Sequence, residues 1–598
     1  MEQKKIHLTI DGHAVSVESG KTVFDAAQSL NIKIPTLCHH PDLCIAGNCR
    51  VCVVEQEGAR TLTASCATPA ADGMVIHTNT QKVRTTRKHI IELLLSEHNS
   101  ECLKCYKNGN CELQQLAAEY KITHENFISL LPFHAYTIDD FSPSIIKDDS
   151  KCIRCQRCVR TCEELQSVSA LSMAYKGEKT KVSTFLEKSM VDVVCTNCGQ
   201  CINRCPTGAL VEKNCIDQVW DAIYDKDIHV VVQTAPAIRI ALGEEFGIDP
   251  GGIVTGKMVA AMKKMGFDSV MDTDFTADLT IMEEGTELLL RLKDALVEKK
   301  EVALPMMTSC SPGWIKFLEH QYPSLLPNLS TCKSPQQMFG ALAKTFYAQK
   351  RNLNPAKVVS VSVMPCTAKK FEADRPEMYS SGYKDVDFVL TTRELAIMMK
   401  QAGIDFNRIE DSHYDTIMGE SSGAAVIFGA SGGVMEAALR TAYELITGRE
   451  VPFENLDIVP VRGMEGIKEA SVKIEGTVPE WSFLEGATVH LAIAHGLVNA
   501  KTLMDKVASG EANYHFIEIM ACPGGCLGGG GQPIPTSPEI RLKRNKAIYQ
   551  EDKNMNIRKS HENQEVMKLY DEFLEKPCGH KSHKLLHTHY TDRSYKYN

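Results

Sequence analysis

A chain of 598 residues is too long for one hydrophobic core and predicts several domains. With 43% hydrophobic and 24% charged residues and a formal net charge of −9, its composition is that of a globular protein and argues against binding nucleic acid or an anionic membrane. No apolar run reaches the roughly 18 residues of a membrane helix, and the opening MEQKKIHLTIDGH lacks the apolar core of a signal peptide, so a cytoplasmic location with no membrane partner is expected.

Ile6, Leu8 and Ile10 alternate with polar residues, which predicts a half-buried strand. Asp11-Gly12 is a hairpin turn signal before a second strand over His13 to Val17. Thr22 to Leu30 reads as a short helix, and a cysteine-rich loop follows. Together these predict a β-grasp module over 1–79, of the kind seen in plant-type ferredoxins. A helix over Lys82 to Leu95 opens a second cysteine-bearing domain, 80–140, and a third fills 141–225. From Asp227, apolar runs such as HVVVQTAPAI and AKVVSVSVMP alternate with helical stretches such as FGALAKTFYAQK, which argues for an α/β body over 226–540. The remainder, 541–598, is polar, with a helical pattern from His561 to Glu575. The fold expectation is α/β and multidomain.

Of 23 cysteines, sixteen lie between Cys38 and Cys205. In a reducing compartment they read as metal or cluster ligands rather than disulfides, and spacing must choose between zinc and iron–sulfur. Cys152, Cys155, Cys158 and Cys162 recur 43 positions later as Cys195, Cys198, Cys201 and Cys205, each set a Cys-x2-Cys-x2-Cys-x3-Cys run. In two-cluster ferredoxins the fourth cysteine of each run ligates the other cluster. Cys152, Cys155 and Cys158 with Cys205 then hold one 4Fe–4S cluster, and Cys195, Cys198 and Cys201 with Cys162 hold another. Zinc sites instead favour paired CxxC knuckles. Cys38, Cys49, Cys52 and Cys66 resemble the 2Fe–2S loop of ferredoxins and of the large iron–sulfur subunit of respiratory complex I. Cys44 is an extra thiol that competes with Cys38 for the first position. His98, Cys102, Cys105 and Cys111 fit structural zinc equally well on their own. Their place between two cluster domains, and the same arrangement in complex I and in large FeFe hydrogenases, favour a 4Fe–4S cluster. The front end then reads as an electron wire of one 2Fe–2S and three 4Fe–4S clusters.

Three segments of the body, TSCSPGW (308–314), MPCTAKKFE (364–372) and EIMACPGGCLGGGGQP (518–533), resemble the signature segments of the iron-only (FeFe) hydrogenases, and the resemblance covers essentially the whole chain. The residues themselves agree. Cys366 ends the apolar run VVSVSVMP, where α/β folds place functional groups. Cys522 and Cys526 flank Pro-Gly-Gly, which permits a tight backbone path. Glycines 528–531 are no phosphate loop, since no Gly-Lys-Ser/Thr follows, and Gly251-x4-Gly256-Lys257 runs into Met258.

The resemblance implies an H-cluster: a 4Fe–4S cubane joined through a cysteine sulfur to a di-iron unit with carbon monoxide, cyanide and a dithiolate amine. It makes Cys366, Cys522 and Cys526 cubane ligands, with Cys526 also the bridge. It surrounds the di-iron unit with Pro236, Ala237, Gln336, Met364, Phe428, Met520 and Lys369, the last pairing with a cyanide. It runs protons from Cys310 through Glu284, Ser330 and Glu287 to Arg291. Glu284, Glu287 and Arg291 share one helix face, where an i, i+4 ion pair is the plainer reading.

The chain departs from the family at Ser311, where a second cysteine usually provides the fourth cubane ligand. Either serine or solvent completes the cubane, or Cys310 changes from relay to ligand, or Cys332 supplies the thiol. Ala237 stands where close relatives carry a small hydroxyl residue. The tail CGHKSHKLLHTHY (578–590) resembles the small-subunit segment that wraps some FeFe hydrogenases, and its histidines read as packing rather than as a metal site. The implied activity is the interconversion of hydrogen with protons and electrons. No GxGxxG follows a strand, yet the front end resembles subunits that receive electrons from a flavin-bearing partner, which implies a flavin-containing, NAD(P)-binding partner subunit, or ferredoxin in a stand-alone enzyme. Maturation proteins are further expected partners. A degenerate sensor or iron–sulfur scaffold is the alternative that Ser311 keeps open.

Overall fold

The structure, a computed structural model, describes residues 5–123, 126–127 and 136–594, so parts of the predicted domains at 1–4, 124–125, 128–135 and 595–598 lie outside the described residues. The chain divides into two compact units. One comprises 1–164, 169–193 and 204–211, the other 165–168, 194–203 and 212–598.

In the first unit Lys5–Ile10 pairs antiparallel with His13–Glu18 across Asp11-Gly12, both at positive φ, as a two-residue turn of this hand requires. Val75–His77 lies parallel to Lys5–Ile10 and antiparallel to Val53–Gln56, which in turn pairs with Thr63–Ala64. Helix Val23–Ser29 begins at a capping box between Thr22 and Asp25 and buries Val23, Phe24, Ala26 and Ala27 with Ile6, Leu8 and Ile10 of the sheet. This is the β-grasp arrangement. Helix Gln81–Ser96, capped by the Thr80 hydroxyl, then carries the chain to His98.

In the second unit two four-stranded sheets form the body. The first is all parallel, in the order Ser269–Asp272, His229–Thr234, Val358–Met364, Phe388–Thr391. The β-branched runs HVVVQT and VVSVSVM suit strands covered on both faces, and Val230, Val231, Val232, Val361 and Val363 are buried. The second runs Met306–Met307, Phe516–Met520, Thr488–His495, Ile467–Lys473, with only the last pair antiparallel. Strand order reverses around His229–Thr234, which opens a crevice beyond its carboxyl end. Residues just beyond Thr234, Met307, Met364 and Met520 all line that one crevice. Helix Thr273–Leu296 leaves the first sheet at Asp272, whose side chain caps it. In the tail, His561 falls in a single turn Ser560–Glu562, and the helix is Gln564–Leu569 with a wider turn over Tyr570–Leu574. Among the described residues no helix is long and apolar enough to cross a membrane.

Candidate active site

The crevice is a cavity of about 700 Å³. Cys366, Cys522 and Cys526 line it, as do Cys310 and Ser311. Pro236, Gln336, Met364, Phe428, Met520 and Lys369 belong to the same wall. Ala237 lies just behind that wall, in a buried cluster that Cys526 borders. The chain turns there, Ile238 N–H donating to the Ala235 carbonyl, and the buried Ala237 side chain also lies against Gly429.

Lys369 Nζ donates to the Cys310 carbonyl at 3.1 Å and to Glu372 Oε2 at 2.9 Å. Glu372 also accepts from Gln336 Nε2 at 3.0 Å and from Ser334 Oγ at 2.8 Å, and Gln336 Oε1 accepts from Ser362 Oγ at 2.8 Å. Lys369, the one cation on the cavity wall among the described residues, is therefore held in place by a buried carboxylate. Sequence reasoning misses Glu372, although its place three residues after Lys369, one helical turn on, was the available signal.

Cys310 and Ser311 diverge. Ser311 Oγ accepts from Ala521 N–H at 3.2 Å, next to Cys522. Cys310 packs with Phe428 and Met520. Burial and the Glu284 carboxyl push its thiol well up, against the opposing pull of Lys369. Cys332 does not line the cavity. It is buried in a separate cluster, its thiol 3.7 Å from Glu287 Oε2, so it is not placed to complete a cubane.

Glu284, Glu287 and Arg291 lie along helix Thr273–Leu296. Arg291 Nη2 donates to Glu287 Oε1 at 2.7 Å, and Ser330 Oγ donates to Glu287 Oε2 at 2.8 Å. Ser330 also hydrogen-bonds Glu284. Glu284 is 2% exposed, and its Oε1 has no hydrogen-bond partner among the described residues. Burial, then the charge of Glu287, push its carboxyl up to about 8. One pKa unit is about 1.4 kcal/mol, so at neutral pH Glu284 holds a proton that costs little to release. Arg291 and Ser330 thus hold Glu287 by its two oxygens, one helical turn beyond the buried Glu284. Tyr590 of the tail donates its hydroxyl to the Ser330 carbonyl at 2.5 Å, a contact the sequence does not reveal.

In the first unit Cys52 and Cys66 bring their sulfurs within 3.2 Å, and the Cys38 thiol contacts Cys49 and Cys66. Cys44 is exposed and turned away, donating to Glu164 Oε1 at 2.7 Å. His98 is buried with an Nδ1 that has no hydrogen-bond partner among the described residues. Cys102 and Cys105 flank a single turn, and Cys111 precedes helix Glu112–Glu119. Cys152, Cys155, Cys158 and Cys205 line one cavity of about 410 Å³. Cys162 sits in the wide turn Thr161–Leu165, its sulfur accepting from Ala170 N–H at 3.3 Å.

Residues 228–530 match the iron-only hydrogenase large subunit, C-terminal domain, and 538–593 match the iron hydrogenase small subunit. The chain belongs to the iron-only hydrogenase family. Ahead of these lie a 2Fe–2S cluster binding domain (3–81), an iron–sulfur binding region of NADH-ubiquinone oxidoreductase-G (87–126) and a ferredoxin-like domain of NADH-quinone oxidoreductase subunit 3 (142–211). The chain is 50% identical to the NADP-reducing hydrogenase subunit HndD of Solidesulfovibrio fructosivorans, over 98% of this chain and 99% of that one. It is 40% identical to iron hydrogenase 1 of Clostridium pasteurianum over the same shares. A solved FeFe-hydrogenase structure from Chlamydomonas reinhardtii matches 64% of this chain and 99% of its own, at 44% identity and a TM-score of 0.57.

In this hydrogenase the loop carrying Cys195, Cys198 and Cys201 packs directly on the glycine run beside the cavity. Gln200 Nε2 donates to the Gly528 carbonyl at 2.8 Å, and Asn203 Nδ2 to that of Gly529 at 2.9 Å. Thr367, next to Cys366, donates to the Asn197 carbonyl at 2.7 Å. A Cβ at Gly530 would stand 2.2 Å from the Cys198 carbonyl oxygen, so glycine is required for this approach. Arg393 fastens the same junction through Gly530, Asn203 and Glu212.

Proposed function

We propose that this hydrogenase holds an H-cluster on Cys366, Cys522 and Cys526, draws on one 2Fe–2S and three 4Fe–4S clusters, and exchanges electrons with a flavin-containing, NAD(P)-binding partner subunit. The observation that carries the reading is the convergence of three thiols and one clamped lysine on a single buried cavity. Soft thiolates at glycine-rich turns suit a cubane, and the orphaned His98 Nδ1 suits a ligand beside Cys102, Cys105 and Cys111. The partner is supported by front-end domains of the NADH-quinone oxidoreductase type and by a relative named for NADP reduction. Cysteines that serve clusters rather than disulfides go with a reducing, cytoplasmic compartment.

When bound, the H-cluster supplies the chemistry that interconverts hydrogen with protons and electrons. The chain's own residues do the rest. Lys369 Nζ, fixed by Glu372, presents a positive charge to an anionic ligand in the cavity. Pro236, Met364, Phe428 and Met520 exclude water. The Cys310 thiol exchanges its proton with the Glu284 carboxyl, the Ser330 hydroxyl bridges to the Glu287 carboxylate, and Arg291 holds the far oxygen of Glu287 near the surface. Protein matured with its di-iron unit should reduce a one-electron dye with hydrogen. Glu284→Gln should lower that turnover by about 100-fold with unaltered cluster spectra. Unchanged turnover would remove Glu284 from the route, and an inactive wild type with full clusters would overturn the reading.

A further inference from the structure

The tail carries chemistry that hydrogen turnover does not use. Cys578 is held in a turn, His583 lies on helix His580–Leu586, and His587 follows that helix. One donor atom from each lies within 4.8 Å of the others. The two imidazole rings are 4.1 Å apart, centre to centre. Glu283, fully buried on helix Thr273–Leu296, closes the group. Its Oε2 is 3.2 Å from His587 Nε2 and accepts from Cys578 N–H at 2.7 Å, and its carbonyl lies 3.4 Å from Cys578 Sγ. Thr331 Oγ1 is 2.8 Å from His587 Nδ1, which fixes that ring with Nε2 pointing inward.

We infer that Cys578, His583 and His587 form a site for a zinc-class divalent ion, with Glu283 beside the fourth position, and that the ion staples the tail to the helix bearing the proton route. One thiolate and two imidazoles are a borderline-soft donor set, and two histidines with three residues between them follow common zinc spacing. Donors about 2.0–2.3 Å from one tetrahedral ion stand roughly 3.3–3.8 Å apart, so the side chains need to close by only about 1 Å. The His587–Glu283 separation already fits. An oriented second ring nitrogen, here at Thr331, is what histidine ligands generally show. Plain packing accounts less well for two imidazoles 4.1 Å apart and tilted by 36° beside a thiol. Burial and Glu283 push the Cys578 thiol up, so it enters protonated and releases one proton to solvent as the zinc–sulfur bond forms.

The test uses cluster-loaded holoprotein, equilibrated anaerobically with zinc chloride and desalted. Metal analysis should give about one zinc per chain, and zinc-edge X-ray absorption should show one sulfur among nitrogen and oxygen neighbours. Cys578→Ala with His583→Ala should lower retained zinc at least about tenfold with iron content unchanged. His583 is exposed, so His583→Gln alone leaves the fold intact and should also weaken zinc retention. No retained zinc in the wild type, equal zinc in these variants, or an all-sulfur shell marking zinc in a cluster site would each overturn the proposal.

Discussion

Glu284 owes its behaviour to burial. Its folded-state pKa of about 8 lies above the ordinary 4.5, so the native protein keeps a proton that the unfolded chain gives up between those values. The stability this group contributes is full below about 4.5 and is lost as pH rises to about 8. Glu284→Gln removes that slope. Thermal midpoints should favour the variant increasingly from about pH 6 to about pH 8 and run parallel beyond. A difference that does not change with pH would mean that Glu284 is already ionised at neutral pH. At the neighbouring pair, Cys310 packs with Phe428 and Met520 and Ser311 bonds to Ala521. Cys310→Ala should therefore leave the H-cluster complete by electron paramagnetic resonance while turnover nearly vanishes. Ser311→Cys should shift the cubane potential, because thiolate binds iron more softly than an alcohol oxygen. Loss of the cubane in Cys310→Ala would instead make Cys310 its fourth ligand.

At the scale of elements, what was legible in the sequence is what lies within one turn or one helix. The first three cysteines of each Cys-x2-Cys-x2-Cys-x3-Cys run lie within a few residues of one another, so their spacing points to a shared cluster, whereas the place of the fourth comes from the pattern of two-cluster ferredoxins. Glu284, Glu287 and Arg291 are likewise neighbours on one helix. Contacts between distant segments were not legible. Cys332 is two residues from Ser330, yet the fold puts it in a different core cluster from the cavity. Ala237 follows Pro236 but packs with Leu527 and Ile548 in a cluster that Cys526 borders, a contact between segments far apart in the chain. Tyr590 reaches Ser330 from 260 residues away. The packing of the Cys198 loop on the glycine run is of the same kind, and it carries a prediction. Gly530→Ala places a methyl against the Cys198 carbonyl and should cost about 1–3 kcal/mol of stability. Iron retention should fall with it. A variant with unchanged melting and iron content would show that the junction has room to relax.

At the scale of the whole molecule, the proposed clusters of the front end and the catalytic cavity make sense only if electrons pass between them. On the proposed cluster assignment, the Cys195–Cys201 loop packed beside the Cys366 motif is the last step of that path. The most direct measurement is electron paramagnetic resonance of the fully matured protein, holding about 20 irons per chain, before and after exposure to hydrogen with no partner or dye present. Hydrogen alone should reduce the front-end clusters, producing their 2Fe–2S and 4Fe–4S signals in wild type and only slowly in Glu284→Gln. A protein with that iron content whose front-end clusters stay oxidised under hydrogen would contradict the account.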